Sequence, residues 1–575
     1  MSKKFPKIKV TTNVLEVNQN TFDGCFDSLP PPSSVIADLS FANGRHFFPQ
    51  AQQWLQHALP SEKLYYWAFI ESPSASPHFP SHDLGQELAR KWPPLLYGSF
   101  CIDLADGKIQ LMVSFGEPIS HLQRALWIGD LTVEKGLRNW SVQRWVVDTE
   151  IQNPQLQNLI LQFSESRTQL LSSAVQPWWN STPQHQSYQI KNAPWVMPAH
   201  SNLCEKTKKI IIIGAGLASS YLARQMAEVG WKVMVLESQM ACGSVGSGNA
   251  YSVLYPKLSV HMAPFTEILH QAYPYAYTIW SELLALQPHL GRICPLMQEP
   301  DAFYQELRPY LKDSPTWFDV SNGQCIFKHS LMLNMPELCQ YLLDHDRIEI
   351  HYGFQVDQLT FSDNEWKIGE VSAPTCVIAN GYQARQFLQS EYIEIKGMRG
   401  QMTHVDECFQ DNMIYCKEGH IVPAWNGIHA VGASFKNDLD TTPSLVDDLN
   451  NIGPWQTRFQ TTLNPISNWV GIRGISLDHV PVVGAIADKQ AFYSQFKIWQ
   501  HHANRILPHL MPNVPGLFMF AGFGARGLAT IPWLADVLKK MITGEPMLVS
   551  NELLQALSPA RFLRKKIMKG VFNLN

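Results

Sequence analysis

Two glycine runs, one carboxylate and one arginine carry the chemistry that can be read directly from this chain. In the first run, Gly214-Ala215-Gly216-Leu217-Ala218-Ser219, the spacing is that of a turn that cradles a diphosphate on a helix N-terminus. Gly214 permits the turn, and Gly216 lets the backbone approach the phosphates. Ser219 replaces a third glycine and is still small enough for the helix to pack closely on its strand. Glu237 follows at the spacing where a carboxylate accepts from both hydroxyls of an adenosine ribose. A glycine turn in an ordinary α/β domain shows the same pattern, so the surrounding elements must decide. Residues 208–213 contain four consecutive isoleucines, which read as a buried parallel strand. Tyr221, Leu222 and Met226 give a helix that stops at Gly230, and residues 231–236 give a second strand ending on Glu237. This βαβ unit selects the dinucleotide reading.

The second run, Gly243-Ser244-Val245-Gly246-Ser247-Gly248-Asn249, comes soon after that strand. The long, bent FAD molecule needs more backbone donors than NAD does, which points to FAD as the cofactor. Ser247, Gly248 and Asn249 are assigned to it together with Gly214, Gly216, Ala218, Ser219 and Glu237. Residues 375–380 read as a strand running into Gly381, a turn that returns against the diphosphate. Residues 518–529 read as a strand, a glycine turn and a helix start. Gly524, Arg526, Gly527 and Leu528 then aim a helix N-terminus at the flavin pyrimidine oxygen. Arg473 lies in the apolar, glycine-flanked run Trp469-Val470-Gly471-Ile472-Arg473-Gly474. A buried guanidinium needs a partner. Its planar fork either grips a substrate carboxylate or makes a structural ion pair, and spacing leaves the two readings even. No residue stands out as a general base.

Composition bounds the rest. The 575 residues suffice for more than one domain, and 45% hydrophobic content with 18 Trp indicates packed cores. A net charge of −4 excludes a chain-wide polyanion binder and leaves nucleic-acid contact to local patches. The ten Cys include no CxxC pair and no Cys/His set with zinc-ligand spacing. No metal is therefore expected, and reduced thiols suit a cytoplasmic protein. The N-terminus has no apolar core behind its lysines, and no apolar run is long enough to span a bilayer. Neither a signal peptide nor a membrane association is expected.

The elements that must position these residues form an α/β chain. Residues 35–39, 65–70, 108–115 and 144–148 read as strands of a truncated Rossmann-like domain over residues 1–165. Its first turn, Ser40-Phe41-Ala42-Asn43-Gly44, holds one glycine where a cofactor turn usually holds two or three. Residues 166–206, rich in Ser, Gln, Pro and Trp, read as a linker packed on a domain surface, with Trp178 and Trp179 as packing residues. An FAD-binding Rossmann-type domain then takes about 207–270, 336–390 and 468–548. An inserted α+β substrate domain, largely antiparallel, takes about 271–335 and 391–467. The tail, residues 557–575, carries Arg561, Arg564, Lys565, Lys566 and Lys569 and no acid. Such a helix is either a solvated face or a phosphate contact.

Several of these stretches, taken together, carry a family resemblance. They are residues 213–219, Gly248-Asn249 with Leu254-Tyr255-Pro256, Ile378-Ala379-Asn380-Gly381, Gly400-Gln401 and Gly432-Ala433-Ser434. To these add Gly471-Ile472-Arg473 with Asp478-His479-Val480-Pro481, Arg526-Gly527-Leu528 and Leu557-Ser558-Pro559-Ala560-Arg561. The set resembles the C-terminal FAD-dependent oxidoreductase of the bacterial bifunctional tRNA 5-methylaminomethyl-2-thiouridine biosynthesis proteins, in the D-amino-acid and glycine oxidase superfamily. The resemblance implies that Arg473 holds the substrate carboxylate. It implies a tRNA partner, met at an anticodon stem-loop with a modified U34. The reaction it implies removes the carboxymethyl group of 5-carboxymethylaminomethyl-(2-thio)uridine as glyoxylate. The first half is similar, but poorly, to the family's S-adenosylmethionine-dependent methyltransferase domain. Glu71, Phe115-Gly116-Glu117 and Trp145-Val146-Val147-Asp148 with Asn153-Pro154 match. The cofactor loop is altered, Asp148 runs into Thr149-Glu150-Ile151, and the strands that follow are largely missing before Trp178. That implies a degenerate domain with no S-adenosylmethionine binding and no methyl transfer. The rival readings are an FAD-dependent oxidase of free glycine, sarcosine or a D-amino acid, and a silent tRNA-binding protein. A cytoplasmic monomer is expected.

Overall fold

The computed structural model describes residues 35–180, 194–196 and 207–572, apart from 60–61, 72, 74–76, 97, 126–140, 257, 260, 262, 300–301, 321–323, 418, 506 and 508. Apolar strands with little alternation, such as Leu64–Ile70 and Ile109–Phe115, demand cover on both faces, and they receive it. The first sheet is built from β1 (Val35–Asp38), β2 (Leu64–Ile70), β3 (Gly98–Leu104), β4 (Ile109–Phe115), β5 (Val142–Val147) and β6 (Ser164–Ser172). Their order is β3-β4-β2-β1-β5-β6, parallel throughout except for the β3–β4 hairpin. Without that edge hairpin strand, this is the progression of a doubly wound sheet.

The linker starts later than residue 166, where the sequence places it. Asn153 accepts from Gln155 N and so caps a helix, Pro154–Gln162. That helix returns the chain to β6, which pairs in parallel with β5. The domain therefore continues past residue 165, and one of the strands thought missing after Asp148 is present. Its polar sequence, Ser164–Ser172, hides it from a search for apolar runs, because it needs only one neighbour at the sheet edge. Of the former linker, Pro194–Val196 packs through Trp195 against Phe492 and Trp499.

The second sheet begins with β7 (Lys209–Ile213) and β8 (Lys232–Glu237). It continues with strands Ile348–Tyr352, Thr375–Ile378, Asn513–Ala521 and Val482–Ala487, of which only the last pairs antiparallel. Ile210, Ile211 and Ile212 are fully buried at its centre. The inserted domain holds an eight-stranded sheet, antiparallel apart from the pairing of Leu296–Gln298 with Ile414–Cys416. Its long strands Ile395–Asp406 and Pro465–Ser476 pair antiparallel, with Met398 opposite Arg473. The boundary expected at residue 270 falls inside one helix, Pro264–Leu286, which packs on helix Gly527–Thr543 and on β3. Its apolar faces are needed at both contacts, so it belongs with the FAD domain.

The two halves meet through buried polar groups. Asp536 pairs with Lys540 at 2.7 Å and Lys539 at 3.0 Å, and Lys540 donates to Gln110 of β4. Tyr65 of β2 donates to Glu545 at 2.8 Å, and Tyr275 donates to Asp103 of β3 at 2.7 Å. Each charge in this cluster is partnered, which a buried charge requires.

Candidate functional site

The residues singled out from the sequence converge on one cavity of about 650 Å³. At one end stands the turn after β7. Gly214 takes φ +99°, and a Cβ on it would lie 3.0 Å from Ala379 O and Asn380 Cα, so the turn is closed to any side chain. Helix Leu217–Glu228 starts on Gly216, and Gly216, Leu217 and Ala218 present its positive end to the cavity. Glu237 ends β8 on the cavity wall, where its carboxylate accepts from Ala215 N at 2.6 Å and Gln239 N at 2.8 Å. A carboxylate has about four lone-pair sites, so capacity remains for ribose hydroxyls. A glycine turn, a helix N-terminus and a strand-end acid on one cavity fit an FAD.

Gly214, Gly216, Ala218, Glu237, Ser247, Asn249, Gly381, Gly524, Arg526, Gly527 and Leu528 all line the cavity, and so does Arg473. Ser219 and Gly248 stand behind it. Ser219 is fully buried and donates to Ala379 O at 3.3 Å, which ties the helix to the neighbouring strand. A Cβ on Gly248 would lie 2.6 Å from Trp469 Nε1, so its role is close packing.

The strand that carries Arg473 is wedged between the cofactor loops. A Cβ on Gly246 would stand 2.9 Å from Ile472 O, and one on Gly474 would stand 2.8 Å from the Gly381 carbonyl carbon. These close approaches explain the glycines around Arg473 and fix its side chain beside the cofactor loops. Arg473 Nη1 is buried without a hydrogen-bond partner. Burial, and then the positive Arg526, push its pKa down to about 10, so it is a cation at neutral pH. Arg399 on the facing strand shows what a structural arginine looks like. Its guanidinium pairs with Asp447 and donates to Asp440 O at 2.6 Å, Gln401 Oε1 at 2.8 Å and Thr442 O at 2.8 Å. Of the two readings left open for Arg473, the ion pair lacks a partner among the described residues. Arg526 lies with its guanidinium 4.4 Å from the Tyr255 ring centroid.

Spacing alone missed His420 and Phe435. His420 lines the cavity with a buried Nε2 that has no partner. Burial, then the positive Arg473 and Arg526, hold its pKa down to about 4, so the imidazole is neutral at pH 7. A lone His in Gly419-His420-Ile421 carries no sequence signal for this.

The basic tail is not free to meet phosphates as a unit. Arg561 makes two 2.9 Å contacts to Asp478 and donates to Val480 O at 2.7 Å and Pro481 O at 3.2 Å. Arg564 lies 5.3 Å from the Trp499 ring centroid, and Lys566 donates to Tyr392 O at 3.2 Å. Lys565 and Lys569 are the exposed pair.

At the first turn of the N-terminal sheet, aromatic side chains fill the space. Phe41 is 1% exposed and packs against Phe47, Tyr66 and Trp92, with ring centroids 6.0–6.4 Å apart. Asp38 accepts from Tyr66 at 2.7 Å, and Asp148 is paired with Arg45 and His46. Among the described residues, no three His, Cys, Asp or Glu group to hold a metal, and no helix is long and apolar enough to cross a membrane.

Residues 209–541 match the model of a family described as FAD dependent oxidoreductase. The tRNA 5-methylaminomethyl-2-thiouridine biosynthesis bifunctional protein MnmC of Legionella pneumophila (strain Lens) is 27% identical, covering 96% of this chain and 93% of its own. The protein of the same name from Chromobacterium violaceum is 24% identical, with 96% and 93% covered. Among solved structures, glycine oxidase from Bacillus cereus matches at 16% identity and TM-score 0.46, covering 61% of this chain and 98% of that one.

Proposed function

The chain belongs to the family of FAD dependent oxidoreductases, and from that premise we propose that it oxidises the N-carboxymethyl group of 5-carboxymethylaminomethyl-(2-thio)uridine in tRNA. The products are 5-aminomethyl-(2-thio)uridine and glyoxylate. The observation that carries the reading is the buried Arg473, with Nη1 unpartnered among the described residues, on the wall of a cavity that starts at a dinucleotide turn. A cation kept there without a protein anion is matched to an anionic ligand. The relatives named for tRNA thiouridine biosynthesis, matched along nearly their whole length, supply the substrate class.

The residues that would hold FAD are Gly214, Gly216, Ala218, Ser247 and Asn249 around the diphosphate and ribityl, Glu237 at the ribose, and Gly381 with Gly524 to Leu528 near the ring. FAD, when bound, accepts a hydride from the substrate methylene. Arg473 fixes the carboxylate in its fork and so sets the methylene at one place, a proximity effect. The electron pair leaves with that hydride, the amine nitrogen forms a C=N bond, and one water then splits it into the aminomethyl nucleoside and glyoxylate. His420, neutral beside Arg473, does not compete with it for the anion. The N-terminal domain is read as a degenerate methyltransferase that no longer binds S-adenosylmethionine, because Phe41 and its neighbours fill the first turn.

Anaerobic mixing of the FAD-loaded protein with tRNA carrying the carboxymethylaminomethyl group tests the reading. Bleaching of the flavin by that tRNA, and not by free glycine or sarcosine, is the expected result. Bleaching by the free amino acids alone favours the small-substrate oxidase.

A further inference from the structure

Phe435 is an exposed phenylalanine on the wall of the same cavity, 56% accessible to solvent. Its backbone is held on both sides. Ser434 N donates to Gln401 O at 3.1 Å, and the Ser434 hydroxyl accepts from Gln401 N at 3.0 Å. Lys436 and Arg399 exchange backbone hydrogen bonds of 2.9 and 3.1 Å, and Lys436 Nζ pairs with Asp447 at 2.7 Å. A chain pinned this firmly leaves its one apolar side chain in water, a choice that folding alone does not favour. The Arg473 guanidinium lies over one face of the Phe435 ring, its carbon 4.7 Å from the ring centre, which leaves the other face for a ligand. The ring therefore stands beside the place where the substrate carboxylate is anchored.

Resting on the proposed reaction, we propose that Phe435 is the stacking platform for the pyrimidine base of the substrate nucleotide and selects a nucleoside-borne N-carboxymethyl group over a free amino acid. In the substrate, four bonds separate the carboxylate carbon from the pyrimidine ring, about 5 Å when extended. With the carboxylate in the Arg473 fork, the base comes within reach of the Phe435 face that Arg473 does not cover. An aromatic face accepts a base without reading its edges, so Phe435 recognises the presence of a base while Arg473 recognises the acid.

The test compares wild type, F435A and F435W, all loaded with FAD. Two ligands are used: tRNA bearing the carboxymethylaminomethyl group, and N-ethylglycine, which has the amine and carboxylate but no base. Binding is read by tRNA fluorescence anisotropy and by perturbation of the flavin spectrum. F435A weakens tRNA binding by about 5- to 100-fold more than it weakens N-ethylglycine binding, and F435W restores the tRNA. Equal loss for both ligands, or no loss for tRNA, overturns the proposal. Wild-type protein that binds this tRNA without flavin reduction instead overturns the proposed reaction, an outcome visible before any variant is made.

Discussion

Replacing Gly400 with alanine displaces Arg473 while leaving its own sequence and the cofactor loops unchanged. Gly400 lies opposite Gly471 on the strand paired with the one that carries Arg473. A Cβ built there falls closest of all to Arg473 Nη1, and 2.5 Å from Cζ and 2.7 Å from Nη2, closer than real Cβ contacts ever come. Ordinary contact requires about 3.5 Å, so the guanidinium must retreat by at least roughly 1 Å. Loss of alignment by that distance costs about 100-fold in rate, which is about 2.7 kcal/mol of transition-state stabilisation. Alanine replaces glycine inside a strand, which does not itself penalise the backbone. Gly400 is not on the cavity wall, so FAD content is unchanged. The assay is anaerobic stopped-flow reduction of the bound flavin by substrate tRNA, with FAD content read from the absorption spectrum of the same sample. Flavin-replete G400A that is reduced at the wild-type rate refutes the claim that Arg473 positions the substrate.

The Arg473→Lys variant keeps the charge and loses the fork, so FAD remains bound while flavin reduction by tRNA slows by orders of magnitude. Glu237→Ala weakens FAD binding by roughly 1.5–3 kcal/mol through loss of charge-assisted hydrogen bonds, measured by flavin fluorescence; unchanged retention removes Glu237 from the ribose site. Burial pushes His46, His121 and His420 down to about 4 and His270 to about 3. The unfolded chain takes up these protons near pH 6.5, so stability is full above that pH and falls as the pH drops toward 4. Thermal melts between pH 7 and 4.5 read this directly, and a flat Tm contradicts it. Neutralising Lys565 and Lys569 lowers the salt slope of tRNA binding by up to about 0.7–0.9 for each phosphate that a lysine no longer neutralises, whereas Arg561→Ala lowers Tm by breaking the Asp478 clamp; an unchanged slope returns the tail to a solvated face. Isothermal calorimetry shows no S-adenosylmethionine binding, and micromolar binding refutes the degenerate reading.

What the sequence determined by itself was local. Four isoleucines, a glycine turn, a helix and a strand ending on Glu237 are consecutive, and each follows from backbone sterics and period, so the dinucleotide unit was legible before any coordinate. The second glycine run and the turn at Gly524 were legible for the same reason. Three features depended on residues far apart in the chain. Arg473 could be a substrate grip or an ion pair by spacing, and it is the Nη1 without a partner among the described residues, beside the fully bonded Arg399, that supports the first. By sequence Arg561 could be part of a solvated face or a phosphate contact, whereas Asp478, 83 residues away, holds it. The polar strand Ser164–Ser172 has no period of its own and exists because the edge of β5 offers it a ladder. Propensity and spacing are sums over neighbours in sequence, whereas desolvation, charge pairing and edge pairing depend on neighbours in space. Only the fold could therefore show that Arg473, among the described residues, keeps a buried nitrogen without a hydrogen-bond partner.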